Sequence, residues 1–137
     1  MAVFTKVLYY DIDADEVKNI TEDVVNVIRE STIENGLCNI FAKGSTCALV
    51  ISEYEKGHIK DLFKSLEVIA PSNAYYEHHE AWNDDNGKSH VRACFLQQHI
   101  TLPLINRSLY IGTWQHILLI NLDTKRRNRE VRITVLY

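Results

Sequence analysis

The C-terminal third of the chain constrains the fold most. Three apolar segments, Ile100 to Ile105, Tyr110 to Leu122 and Glu130 to Tyr137, follow one another with no helical pattern between them. Each is rich in β-branched and aromatic residues and reads as a strand. Parallel neighbours need a long crossover, usually a helix, and none is available here. The segments must therefore pair antiparallel, which favours an α+β fold over a parallel wound sheet. The last two flank the basic run Lys125-Arg126-Arg127-Asn128-Arg129. They predict a long hairpin with that run as its solvated loop.

The first half adds helices. Val3 to Tyr10 reads as a first strand. Ile20, Val24, Val27 and Ile28 then recur at helical spacing, with Thr21 as the expected N-cap and Ile20 and Val25 as a hydrophobic staple. Asn35-Gly36 is the expected left-handed stop. Leu37 to Ala42 and Thr46 to Ser52 read as strands across Lys43-Gly44-Ser45, either a hairpin or two strands joined by a site loop. Ile59, Leu62, Phe63, Leu66 and Ile69 give a second amphipathic helix that Pro71 ends. Ser72 to Lys88 is polar and long enough to read as a functional loop. Ser89 to Gln98 reads as a short helix. The expectation is one domain, residues 1–137, with sandwich-like antiparallel sheets, two main helices packed on one side of a sheet, and one short helix.

Composition narrows the function classes. A net charge of −3 argues against general nucleic-acid binding, which needs a basic footprint. No apolar run reaches the ~20 residues of a membrane span. Asp11, Asp13, Asp15 and Glu16 come too early for a signal peptide. Cys38, Cys47 and Cys94 form no CxxC pair and read as reduced, mostly buried residues of a cytoplasmic protein. No GxGxxG, P-loop or nucleophile-elbow motif occurs, and nothing supports a nucleotide cofactor, haem or flavin.

The chemistry-bearing residues concentrate between Tyr75 and Arg92. His78, His79 and His90 lie there with Glu77, Glu80, Asp84 and Asp85. Imidazole and carboxylate suit zinc or another transition ion, and carboxylate with water suits magnesium. A solvated surface loop has the same composition. In an extended segment His78 and His79 point to opposite faces, so only one would ligate. Arg92 has the planar fork for a phosphate, or for a loop acid. Glu53, at a strand end, is a base, a ligand or a solvated carboxylate.

Several of these residues carry a family resemblance. Tyr75-Tyr76-Glu77-His78, Asn86-Gly87-Lys88-Ser89-His90-Val91-Arg92-Ala93, Thr101-Leu102-Pro103-Leu104 and Gly112-Thr113-Trp114-Gln115-His116-Ile117 together resemble the YjbQ family. The resemblance extends over nearly the whole chain. It implies an α+β domain, usually a homotrimer, with secondary thiamine phosphate synthase-like activity. That reaction joins a pyrimidine methyl diphosphate to a thiazole phosphate, and a divalent Mg or Zn ion would assist it. On this resemblance His78 and His90 are ligands or proton donors, Arg92 is a phosphate contact, and Glu53 and Asp85 are further candidates for the ion. Thr46, Thr113 and Gln115 would hydrogen-bond the substrate, and Trp114 would stack on the pyrimidine or fill the core. The sequence departs from the family pattern at Gly44, where a histidine is usual, and at His79, His99, Arg107 and His116. The alternatives are a metal-dependent hydrolase and a non-catalytic small-molecule-binding trimer.

Overall fold

A computed structural model describes residues 1–137. The strands are β1 (Val3–Ile12), β2 (Val17–Asn19), β3 (Gly36–Lys43), β4 (Cys47–Ser52), β5 (His99–Ile105), β6 (Ser108–Leu109), β7 (His116–Asn121) and β8 (Arg127–Leu136). The helices are α1 (Thr21–Ser31), α2 (Lys56–Ile69), α3 (Glu77–Trp82) and α4 (Gly87–Leu96). None of them is long and apolar enough to cross a membrane. The strands form two antiparallel sheets, one ordered β1-β8-β3-β5-β6 and one ordered β2-β7-β4. The α+β class with antiparallel sheets is therefore the observed one.

The centre of the smaller sheet is β7, buried from Ile117 to Asn121. A strand covered on both faces reads as a continuous apolar run, as Ile117-Leu118-Leu119-Ile120 does, because alternate residues go to different cores. Ile117 and Leu119 join Ile40, Val131, Ile133 and the α1 residues Val24, Val27 and Ile28 in the core facing the larger sheet. Ile120 joins Ala48, Leu66, Ala93 and Leu122 on the opposite face, beneath α2 and α4. Burying each of these Leu or Ile side chains stabilises the fold by about 1.5–3 kcal/mol. The two main helices thus serve different cores and do not share one side of a sheet.

The predicted hairpin between the last two long segments does not form. β7 pairs with β2 and β4, whereas β8 pairs with β1 and β3 in the other sheet. Residues 122–126 cross between the sheets. Likewise Lys43-Gly44-Ser45 joins strands of different sheets, so the site-loop alternative holds over the hairpin. The basic run is largely engaged rather than solvated. Arg126 donates to both oxygens of Asp11 at 2.7 Å and to Asp13 at 2.8 Å. Arg127 donates to Asp123, and Arg129 is buried.

Smaller differences have local causes. Tyr110 to Gln115 is not strand, because Gln115 closes a turn on Gly112 in both directions, through its backbone N–H and its side-chain oxygen. Ser72 to Lys88 is shorter as a loop than expected, since it holds α3 and the start of α4. The residue before α1 is Ile20, with no side-chain cap. Thr21 instead donates to Asn19 at 2.6 Å and accepts from Ile117 N–H at 2.8 Å, tying the helix start to β7. α1 stops at Thr32, whose φ of 58° is left-handed, rather than at Asn35-Gly36. Cys38 and Cys47 are buried and Cys94 is exposed, all three unpaired; burial pushes the Cys38 thiol up to about 11.

Gly36 is required by close approach. A Cβ there would stand 2.2 Å from the Leu136 backbone oxygen. Gly36→Ala must push β3 from β8, and its unfolding free energy is expected to fall by about 1–3 kcal/mol in urea denaturation.

Arg92 is a structural residue of the α2–α4 layer. It is 1% exposed and donates from Nε and Nη2 to the Ala70 carbonyl at 3.1 and 2.8 Å, and from Nη2 to Glu67 Oε1 at 2.8 Å. This caps the open carbonyl end of α2 with a cation. Glu67 also accepts from the Ser72 hydroxyl and backbone. Those Ser72 bonds, then Arg92, hold the Glu67 carboxyl down at about 2. Because the folded value is depressed, this contribution is complete above the ordinary carboxylate range and is lost as pH falls through about 2. Arg92→Ala is expected to cost about 2–4 kcal/mol in thermal or urea unfolding. It should flatten the acid dependence of stability and leave ligand affinity at the histidine cleft described below unchanged.

Candidate functional site

The β3–β4 and β7–β8 crossings lie at one end of the molecule. Cys47, after the first, pairs with Asn121, before the second. A cleft of about 580 Å³ opens there. Gly44, Ser45 and Thr46 form one wall, and Asp123, Arg127 and Arg129 another. The α3–α4 hairpin closes it with His78, Trp82, Asp84, Asn86 and His90. A smaller cleft of about 280 Å³ lies on the other side of Asp84, beside Tyr75, Tyr76, His79 and Lys88. The larger one gathers two imidazoles, two guanidiniums and two carboxylates, and is the candidate site.

Its floor is a buried polar network. Arg129 Nη2 donates to the Thr46 carbonyl at 3.0 Å, to Thr46 Oγ1 at 2.7 Å and to Asn121 Oδ1 at 2.7 Å. Asn121 Nδ2 donates to the carbonyls of Ile12, Asp13 and Lys125. Asp123 accepts from Thr46 Oγ1 at 2.9 Å, Arg127 Nε at 2.9 Å and Thr124 N–H at 2.7 Å. Burial alone would raise its carboxyl, but these three bonds together bring it below the ordinary range. Asp123 is therefore an ionised residue whose charge is already matched.

The histidines stand above this floor. The rings of His78 and His90 are 4.4 Å apart between centroids and tilted by 51°. His78 Nε2 lies 3.2 Å from Asp84 Oδ1. The Asn86 amide, turned with its nitrogen toward the same group, donates to Asp84 Oδ1 at 2.9 Å. Helix α4 carries His90, and the left-handed Asn83 (φ 50°) at the end of α3 turns the chain back so that His78 meets it. Burial lowers the His90 pKa, and the adjacent His78 lowers it further, against smaller opposing effects of Asp84, Asp123 and the Ser45 backbone. The shift favours the neutral, proton-accepting form of the His90 imidazole.

The residues singled out in the sequence divide into separate places. Thr46, His78 and His90 line the cleft. Asp85 does not; it faces His79 at 3.7 Å and solvent, while Asp84 takes the position beside His78. Glu53, Thr113, Trp114 and Gln115 belong to the opposite end of the smaller sheet, because Ser52 pairs with His116 there. The length of β4 separates the two ends, roughly 20 Å. Gln115 is engaged within its own turn, and Trp114 is 73% exposed, so it does not fill the core of this chain. His116 is near Asn19 and Tyr54, and cannot stand in for the histidine absent at residue 44 of the same chain.

Asp84, Asn86, Asp123, Arg127 and Arg129 were not singled out individually by the sequence reading as site residues. One signal was available for Arg129. The alternation Val131, Ile133, Val135 continues backwards to residue 129, which puts its side chain on the inward face of β8.

The donor types in the cleft suit a divalent ion, but no three His, Cys, Asp or Glu side chains converge in this structure. His78 Nε2 lies against Asp84. As arranged, the residues present do not form a metal centre.

Comparison with known proteins places the chain. The family model described as UPF0047 protein YjbQ-like matches residues 9–137. A UPF0047 protein of Methanothermobacter thermautotrophicus is 40% identical over 120 residues, covering 88% of this chain and 82% of that protein. One of Archaeoglobus fulgidus is 30% identical over 116 residues, covering 85% and 88%. The crystal structure of a YbjQ-like protein of unknown function from Sulfolobus solfataricus superposes with a TM-score of 0.91 at 30% identity, covering 98% of this chain and 96% of that one. On the match over residues 9–137 and these likenesses in sequence and fold, the chain belongs to the YjbQ-like UPF0047 family.

Proposed function

We propose that the cleft binds a phosphorylated small molecule and moves a proton on it, with His90 as the base. One observation carries this reading. A neutral imidazole, His90, stands against a second imidazole and opposite two guanidiniums in one cleft. The guanidiniums suit phosphate oxygens, and the imidazole pair suits proton transfer to or from the group beside them. His78 is oriented by Asp84, as a proton-carrying ring needs to be.

The reaction that the family resemblance implies is a secondary thiamine phosphate synthase-like condensation. The thiazole nitrogen would attack the pyrimidine methylene, the carbon–oxygen bond would break, and the diphosphate would leave with its electron pair. Arg127 and Arg129, which line the cleft, would stabilise the charge on the leaving oxygens. The neutral state of His90 favours a second reading, hydrolysis. There His90 takes the proton of a water that attacks phosphorus, the phosphorus–oxygen bond to the leaving group breaks, and that oxygen departs with the electron pair and is protonated by solvent. Neither step is routed through a metal ion. A binding role without turnover would use the same guanidiniums and leave the histidines without work.

We also propose a homotrimer. Trp114 and Tyr110 are 73% and 71% exposed, and the outer face of the larger sheet carries Val3, Leu37, Phe41 and Leu136 in the open. Such apolar surface is typical of a covered interface. Equilibrium ultracentrifugation should return three times the monomer mass of 15.9 kDa, and a monomer at all concentrations would oppose the assembly.

The deciding experiment assays product from the pyrimidine diphosphate with the thiazole phosphate, and phosphate release from each alone. His90→Ala is expected to lower kcat for phosphate release, where His90 takes the proton of water, by about 10²–10⁴-fold, and to lower the condensation less. Turnover that the mutant leaves unchanged would remove His90 from the chemistry. In the wild type the acidic limb of kcat/KM is expected below the ordinary histidine value. Asp84→Asn removes a charge that raises His90 and should move the limb to lower pH, while His78→Gln removes the neighbouring imidazole that lowers it and should move the limb higher.

A further inference from the structure

We infer that the corner of the cleft at Arg129, where the bare backbone of Gly44 packs against the guanidinium and keeps it in place, is the seat of a phosphate group. The inference rests on the reading of the cleft as a site for a phosphorylated molecule, and assigns which residues take the phosphate.

Arg129 is the central observation. It is 6% exposed, and all three of its protein hydrogen bonds leave from Nη2. Its buried Nε reaches no acceptor. An unsatisfied guanidinium N–H away from water is costly, and in native structures such a group has a partner or a function. Burial lowers the Arg129 pKa; Cys47 and Asp123 oppose this, and Arg127 adds a smaller push downward. The carboxylate of the floor, Asp123, has its charge matched by Thr46, Arg127 and Thr124. The corner therefore has positive charge that the protein itself does not neutralise.

The space beside that charge is specific to glycine. A Cβ on Gly44 would stand 2.7 Å from Arg129 Nη1 and 3.2 Å from Cys47 Sγ. Arg129 cannot swing aside cheaply, because its Nη2 is fixed by three acceptors on two elements. A larger residue at 44 must displace Nη1 and with it the guanidinium that faces the cleft. Arg127 stands at the outer edge, 41% exposed, with only its Nε engaged on Asp123. It can close over a phosphate from the solvent side. Asp84 repels an anion, and it lies with His78 across the cleft. This polarity orients the ligand, phosphate toward Arg129 and the reacting end toward His90.

Titration calorimetry with inorganic phosphate and with pyrophosphate tests the assignment without any turnover. The wild type should bind at least one of them saturably, more weakly as salt rises. Gly44→Val should weaken binding by about tenfold or more, and Arg127→Gln by a few-fold. A direct reading on the unmodified protein is the Arg129 Nε–Hε resonance, which should shift along the same saturation curve. That measurement remains available if the Gly44 variant fails to fold. No saturable binding in the wild type, equal binding in a folded Gly44→Val, or an Arg129 resonance that stays still would each overturn the inference. His90→Ala separates it from the catalytic reading. Phosphate binding that depends on Gly44 without His90-dependent turnover keeps the seat and removes the catalysis. Turnover lost with His90, but with no phosphate binding at the corner, does the reverse.

Discussion

The clamp that Arg129 makes on Thr46 and Asn121 is the interaction on which the rest of the molecule depends. A two-sheet fold must pass its chain from one sheet to the other, and each passage leaves backbone groups without ladder partners. Here the β3–β4 and β7–β8 passages fall together, so one guanidinium reaches acceptors on both. Asn121 extends the clamp to three further carbonyls, on the β1–β2 turn and on the β7–β8 passage itself. Polar atoms that would be costly to bury singly become a connected network. The same network is the floor of the cleft, so the site is rigid for the reason that the sheets are joined.

That arrangement also sets the electrostatics. Asp123 is ionised and matched, which fixes Arg127 at the rim and leaves Arg129 with unused N–H capacity. The α3–α4 hairpin then brings in groups of another kind. His78 and His90 are held against each other and away from bulk water, and the effect is to keep His90 neutral. A base and an anion-binding group therefore stand across one cleft without an ion pair between them that would quench both. The opposite end of the smaller sheet, with Trp114 and Glu53, has no such floor.

Most of the architecture was legible because hydrophobic periodicity carries it. The run from Ile117 to Leu122, the alternation through Val131, Ile133 and Val135, and the stripes of α1 and α2 all appear where the pattern puts them. Strand pairing was less legible. Sequence neighbours usually pair, and here β3 with β4 and β7 with β8 do not, because both joins cross between sheets. That failure hid the site as well. Read as a hairpin loop, residues 125–129 belong in solvent; with the chain crossing between sheets before them, Arg127 and Arg129 belong to the cleft. His78 and His90 were found because imidazoles in a polar segment are conspicuous whatever the topology. Asp84 was passed over for Asp85 because which of two adjacent carboxylates turns inward depends on the left-handed residue Asn83, and nothing in a spacing rule specifies it.

The two buried arginines show why residue type alone could not assign the phosphate contact. Arg92 and Arg129 are 1% and 6% exposed, and both hold separate elements together. Arg92 gives Nε as well as Nη2 to protein acceptors, and one of those is a carboxylate that balances its charge. Arg129 gives Nη2 alone, to a carbonyl, a hydroxyl and an amide, none of which carries charge. A buried cation with its charge balanced stabilises the fold and has nothing left to offer a ligand. One satisfied only by dipoles keeps its attraction for an anion, and in this chain it is held at the cleft wall by a glycine whose bare backbone packs against it.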